Sequence, residues 1–351
     1  MTDLARYAYL RTRVSLMAAR LLPEARLEEL IEESAGETDA LTKIARNIGL
    51  DMSEAAAGPT LEQKLVSALL EDYLVVLRPL TGAARELVLY TTHRVELANL
   101  KTIISGKMAG QSADTIRREL MDMGPFSALP VEQLLRTEDM AELLRRLDNT
   151  PYSDIARQAR RVFEEQHDLF AIHAAVDRRY FAGLAKRVKA LREPGHKEVR
   201  HLVGMWLDRT NLSWLLRFRF AYNLGPAQAY YLLIPDTYRL GGAQLMALAQ
   251  LGSFEDVIAR LPLPYGPMLR GAPTSYDVVR ILDAETWRQA WITVRRSPSA
   301  LAAAIAYLLL RERELRALRA LLKGRRLQLA PDLIRSALGL EPAAARPGAA
   351  A

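Results

Sequence analysis

Five histidines and a few closely spaced carboxylates are the residues of this 351-residue chain that could do more than pack. The histidines are His93, His167, His173, His196 and His201. His196 and His201 lie on different faces of any helix that holds both, so they form no zinc pair of the HExxH kind. Glu164 with Glu165, and Glu312 with Glu314, sit among basic residues at helical spacing, the pattern of a solvated, ion-paired face. The chain has no cysteine, which excludes thiol catalysis, disulfides and thiolate-held metals. No GxSxG elbow, GxxxxGK[ST] loop or GxGxxG turn occurs. Gly324-Arg325 follows a helical stretch, and Gly241-Gly242 reads as a turn. The reading is a non-enzyme with no catalytic, cofactor or metal site.

Cations are the remaining candidates. The stretch 311–326 carries seven Lys/Arg against two Glu, and Arg217 and Arg219 flank Phe218. Lys101 and Lys107 lie near a related stretch upstream. Such groups could bind a polyanion, but they alternate with apolar helix faces and no nucleic-acid module surrounds them. Arg217, Arg219, Arg316, Arg319 and Arg325 are therefore read as a partner interface for protein or membrane surface, without nucleic acid. The net charge of +7 and the isoelectric point near 9.6 allow acidic partners of either kind.

These cations sit on elements that resemble one another. The stretch 94–110, RVELANLKTIISGKMAG, has a counterpart at 207–225 and a degenerate one ending at Gly324. Setting Asn99 against Asn211 and Glu314 aligns Leu100 with Leu212 and Leu315, and Ile103 with Leu215 and Leu318. Each copy has apolar residues at i+1 and i+4, basic residues, then a glycine: an amphipathic helix with its stop. Asn is a poor residue for a helix interior, so Asn99, Asn211 and Glu314 are read as structural repeat positions that specify helix packing. The copies lie close to one third of the chain apart. They predict helical repeats over 1–128, 129–235 and 236–338, with a disordered tail at 339–351.

The composition favours helix: half of the residues are apolar and 7% aromatic, with Ala, Leu, Arg and Glu dominant. Thr60 with Gln63 reads as a capping box opening a helix to about Leu77. That helix and the next, to about Gly106, are expected to pair as a hairpin. Residues 39–48 read as a short helix, 50–59 as a loop and 152–191 as one long helix. Residues 262–273 read as a proline-rich loop. The N-terminus predicts no secretory signal. The longest apolar run, 300–310, is eleven residues, against about 20 needed to cross a bilayer.

Taken together, the segments Ala8–Val14 (AYLRTRV), Val95–Gly110 with its ExxNL core, Asp177–Ala185 (DRRYFAGLA) and Asp208–Leu216 carry a family resemblance. Gly241-Gly242 and Ala306–Leu322 followed by Arg325 complete it. The chain resembles the C subunit of V/A-type rotary ATPases, the relative of the d subunit of eukaryotic vacuolar ATPases. The third copy departs from the pattern where Glu314 stands for Asn. The resemblance implies an all-α funnel of three parts about a pseudo-threefold axis. It also implies a non-catalytic rotor connector between the central stalk and the membrane proteolipid ring, peripheral on the cytoplasmic face. ATP hydrolysis and ion passage would then belong to other subunits. The alternative is a helical-repeat interaction scaffold unrelated to rotary motors.

Overall fold

The structure, a computed structural model, describes residues 3–32, 60–166, 168–235 and 237–340. The expected helix at 39–48, the loop at 50–59 and residues 341–351 of the expected tail lie outside the described residues; Gly339 and Leu340 of that tail are described, and Leu340 is buried. Among those described, every regular element is helical. The fold is all α.

In chain order the helices are α1 (Asp3–Ala18), α2 (Glu24–Glu32), α3 (Leu61–Leu77), α4 (Gly82–Met108), α5 (Ala113–Glu119), α6 (Val131–Arg136) and α7 (Met140–Arg145). Then come α8 (Ser153–Gln166), α9 (Leu169–Ala190), α10 (His196–Leu216), α11 (Pro226–Leu232), α12 (Gly242–Ala249) and α13 (Phe254–Arg260). The last are α14 (Tyr265–Leu269), α15 (Ser275–Arg296), α16 (Ala300–Arg326) and α17 (Pro331–Leu338). A 3₁₀ turn covers Gly124–Phe126 and a π turn covers Arg217–Ala221.

The chain divides into two compact units, one of residues 1–80 with 287–351 and one of residues 81–286. In the first, α16 is the central element and packs against α1, α3 and α17. Its apolar run is the reason: between Ala300 and Leu310 every residue but Leu309 is buried. Ser299 caps it by accepting the Ala302 N–H at 3.1 Å. Leu10 and Val14 of α1 are buried, at about 2 kcal/mol each. Leu30, Ile31, Leu321, Ile334 and Leu340 close the lower end of this core.

In the second unit α9 is central and packs against α8, α4 and α10. The expected single helix over 152–191 is two helices. Asp168 interrupts it by accepting the Ala171 N–H at 2.9 Å, a side-chain cap that a continuous helix does not allow. The expected hairpin of the 60–77 and 82–106 helices is also corrected. A unit boundary falls between them, α3 taking α1 and α16 as partners and α4 taking α9. The Thr60–Gln63 capping box is present, with reciprocal bonds of 2.7 and 3.2 Å. The proline-rich stretch at 262–273 contains the short α14.

Candidate functional site: buried carboxylate anchors and surface cations

On α4, Glu96 and Asn99 lie one helical turn apart and point the same way. Asn99 donates Nδ2–H to the Met121 carbonyl at 2.7 Å and accepts the Met121 N–H at 2.8 Å. Glu96 Oε1 accepts the N–H groups of Ala128 and Leu129, at 2.6 and 2.7 Å. Its other oxygen takes the Tyr152 hydroxyl in a short hydrogen bond. The pair thus ties the irregular segment after α5 to the middle of α4.

On α10, Asp208 and Asn211 repeat the arrangement. Asn211 donates to the Ile234 carbonyl at 3.0 Å and accepts the Ile234 N–H at 2.8 Å. Asp208 accepts the N–H groups of Tyr238, Arg239 and Leu240, at 3.0, 2.8 and 3.3 Å, and the Tyr265 hydroxyl at 2.8 Å. Burial raises the Asp208 carboxyl above its ordinary value, and those four donors oppose it. Burial and the facing carboxylate push the Tyr265 and Tyr152 hydroxyls upward too. Each tyrosine therefore donates to its acid and does not compete for the charge.

Glu314 on α16 behaves as the acids do. It accepts the Leu22 N–H at 2.6 Å and the Arg311 guanidinium at 2.5 Å. Arg311 also donates to Asp72 at 2.8 Å, and the Tyr307 hydroxyl donates to the same oxygen at 2.9 Å. The helix ends fix the register. The Gln111 N–H reaches the Gly106 carbonyl and the Leu329 N–H reaches the Gly324 carbonyl, each at 2.9 Å. A Cβ on Gly106 would meet Ile116 at 2.5 Å, and one on Gly324 would meet Ile334 at 2.7 Å. Counting back from these matched glycines, Glu314 falls opposite Glu96, and Ala317 falls opposite Asn99. Alignment by apolar spacing alone places Glu314 three residues away, opposite the asparagines.

The acids at 96 and 208 escape a reading of residue types, because an acid near arginines on a helix looks solvated. The available signal is the acid three residues before Asn in both copies, E-x-x-N and D-x-x-N.

A second buried cluster joins α4 to α9. Tyr90 stacks on Tyr180 with centroids 5.2 Å apart and donates to its carbonyl at 3.0 Å. The Arg187 guanidinium lies 3.8 Å from the Tyr90 centroid. Gly183 makes room, since a Cβ there would collide with the Tyr90 hydroxyl. Burial pushes the Tyr90 hydroxyl up to about 12. Burial, helped by Arg187, lowers His93 to about 4. His93 packs edge-on to Tyr152 as a neutral ring. These groups stiffen the helix contact. Among the described residues no group of three His, Asp or Glu could hold a metal ion.

The candidate cations have different surroundings. Arg219 donates to the carbonyls of Ala249, Leu224 and Leu251, at 2.7, 2.7 and 3.1 Å, closing the end of the π turn. Arg325 donates to the Leu30 carbonyl. Arg319 pairs with Glu62 at 3.2 Å. Arg316 lies 5.6 Å from the Trp287 centroid and 3.8 Å from Glu312. Arg217 is exposed, its backbone bonded within the helix and the π turn, and its side chain takes no hydrogen bond or ion pair among the described residues.

Comparison with known proteins adds the family. The profile of the ATP synthase (C/AC39) subunit family matches residues 10–337. The C subunit of the A-type ATP synthase from Methanocaldococcus jannaschii is 24% identical over 351 residues, 96% of this chain and 87% of its own. Its namesake from Methanothermobacter thermautotrophicus is 26% identical over 334 residues, 92% of this chain and 85% of its own. The one from Thermococcus kodakarensis is 24% identical over 348 residues, 95% and 90% of the two chains.

Proposed function

The chain belongs to the ATP synthase (C/AC39) subunit family, and from that premise we propose that it is the non-catalytic connector of a V/A-type rotary ATPase. It couples the soluble central stalk to the membrane proteolipid ring, for ATP synthesis or ATP-driven ion transport. The observation that carries this reading is the family match over nearly the whole chain. Long helices cross-tied by buried carboxylates support it, because a part that transmits torque must not bend. Its place is peripheral, on the cytoplasmic face. No helix among the described residues is long and apolar enough to cross a membrane.

Support for a threefold repetition comes from Glu96, Asp208 and Glu314, each a buried acid on a long helix that accepts backbone N–H groups. In this proposal the third copy draws its anchored segment from the N-terminal residues around Leu22. Arg217, Arg316 and Arg319 are the exposed cations of the predicted interface. Arg219 and Arg325 contribute to it mainly by bonding carbonyls near the ends of their helices.

The test is a pull-down of the tagged chain from its native membranes in mild detergent, assayed for ATPase activity and for a small proteolipid. Recovery of both is expected. A lone chain, with the membranes retaining a complete motor, would sink the connector reading.

A further inference from the structure

The turn between α16 and α17 carries three leucines in solvent: Leu327 at 59%, Leu329 at 42% and Leu333 at 58% exposure. The turn between α4 and α5 shows that its geometry does not require them. There the Ala109 N–H bonds to Ser105, the Gly110 N–H to Lys107 and the Gln111 N–H to Gly106, at 2.9, 3.1 and 2.9 Å. In the later turn the Leu327 N–H bonds to Lys323, the Gln328 N–H to Arg325 and the Leu329 N–H to Gly324, at 3.0, 2.9 and 2.9 Å. The left-handed residue falls at the same place, Gly110 with φ +68° and Gln328 with φ +53°. Yet Ala109, Gln111 and Thr115 occupy the positions of the three leucines. The turn closes equally well with small and polar side chains, so the leucines serve something outside it.

We infer that this turn is a shallow insertion tip whose partner is an anionic lipid bilayer. Leu327 and Leu329 lie in the turn and Leu333 in the first coil of α17. Lys323 and Arg326 are exposed behind them, within one helical turn. That spacing puts apolar tips at acyl depth and cations at the headgroups, as at interfacial segments. Asp332, at 3.0 Å, shares the Arg335 guanidinium with Glu32, so one carboxylate charge is left to set against the two exposed cations. The cations make the complement negatively charged. Anionic lipid supplies both the charge and the apolar layer.

The experiment is flotation of the full chain with vesicles of phosphatidylglycerol and phosphatidylcholine, against phosphatidylcholine alone. The chain should float with the anionic vesicles and lose binding as salt rises. Lys323→Gln with Arg326→Gln should weaken partition by roughly fivefold for each cation removed. The triple variant Leu327→Ala, Leu329→Gln, Leu333→Thr copies the earlier turn and should fold with an unchanged circular dichroism melt but fail to float. A parent chain that does not float, or a folded triple variant that floats as the parent does, overturns the inference. Binding confined to a solubilised protein partner overturns it as well, in favour of a protein contact. The inference rests on the tip alone, so it can fail while the co-purification succeeds, or the reverse.

Discussion

Glu314 accepts the backbone N–H of Leu22 at 2.6 Å across 292 residues of sequence. One buried carboxylate thus holds the turn between α1 and α2 to the middle of α16. Burial raises the Glu314 carboxyl, while Arg311 and the Leu22 N–H oppose that. Removing it leaves the Leu22 N–H without its acceptor and Arg311, which is 6% exposed, with Asp72 as its remaining carboxylate partner. Glu314→Ala should cost about 3–5 kcal/mol, the usual penalty for breaking a buried pair on one side. Urea unfolding measures it, and a loss below about 1 kcal/mol would show that water replaces the carboxylate.

Asn99 and Asn211 each satisfy both backbone groups of one distant residue, Met121 and Ile234. Asn99→Ala and Asn211→Ala should each cost about 2 kcal/mol, because a buried donor and acceptor lose their partners together. The pair of variants should be additive, the two sites sharing no partner. Chemical denaturation of the single and double variants checks both statements.

Gly106→Ala and Gly324→Ala should each destabilise by about 1–3 kcal/mol, since the new methyl enters the space of Ile116 or Ile334. Shortening the facing residue, by Ile116→Val or Ile334→Val, should recover part of the loss. A double-mutant cycle read by thermal melts separates this packing clash from a general helix effect.

Arg219 and Arg217 should part company. Arg219→Gln gives up three charge-assisted bonds to carbonyls and should cost about 2–4 kcal/mol with little dependence on salt. Arg217→Glu, at an exposed site, should change stability by less than about 0.5 kcal/mol. Any effect of Arg217→Glu on assembly should shrink as ionic strength rises. Melts and detergent co-purification, run in parallel at two salt concentrations, give both readings.

His93 sets an acid-side limit on stability. It is lowered to about 4 in the fold by burial, against about 6.5 when unfolded. Between those values the unfolded chain binds a proton that the folded chain refuses, so stability falls as pH drops from about 6.5 toward 4. Allowing for partial exposure, the loss is on the order of 2 kcal/mol. Asp208, raised by burial, works in the opposite sense, the folded form gaining stability as pH falls through its titration. A His93→Phe variant should lose less stability than the parent across that window, and a parallel decline in both would sink the assignment.

Much of the helical layout was legible because its stops are local. Thr60 with Gln63 and the glycine after each repeated stretch act on neighbours a few residues away. The break at Asp168 was not legible, since an acid inside a helical pattern looks like part of the polar face until its own side chain is seen capping Ala171. The asparagines stood out because Asn is a misfit in a helix. Glu96 and Asp208 did not, because what distinguishes them is which distant N–H groups they meet. The register of the third stretch is ambiguous in the sequence for a related reason: leucines three and four apart allow two alignments, and matching the turns at Gly106 and Gly324 favours the one that sets Glu314 against Glu96. The division of the chain was hidden altogether, since it depends on α16 meeting α1 and α3.

That division sets an order of events during synthesis. Residues 1–80 have their core partners in residues 287–351, so Leu10, Val14, Leu30 and Ile31 emerge from the ribosome long before α16 exists to cover them. At about 5–20 residues per second, the wait is roughly 13–50 s. The intervening unit, residues 81–286, is complete first and can fold while the leading helices are held open. A nascent chain stalled before residue 300 should therefore be protease-resistant from about residue 81 onward and chaperone-bound at its leading end.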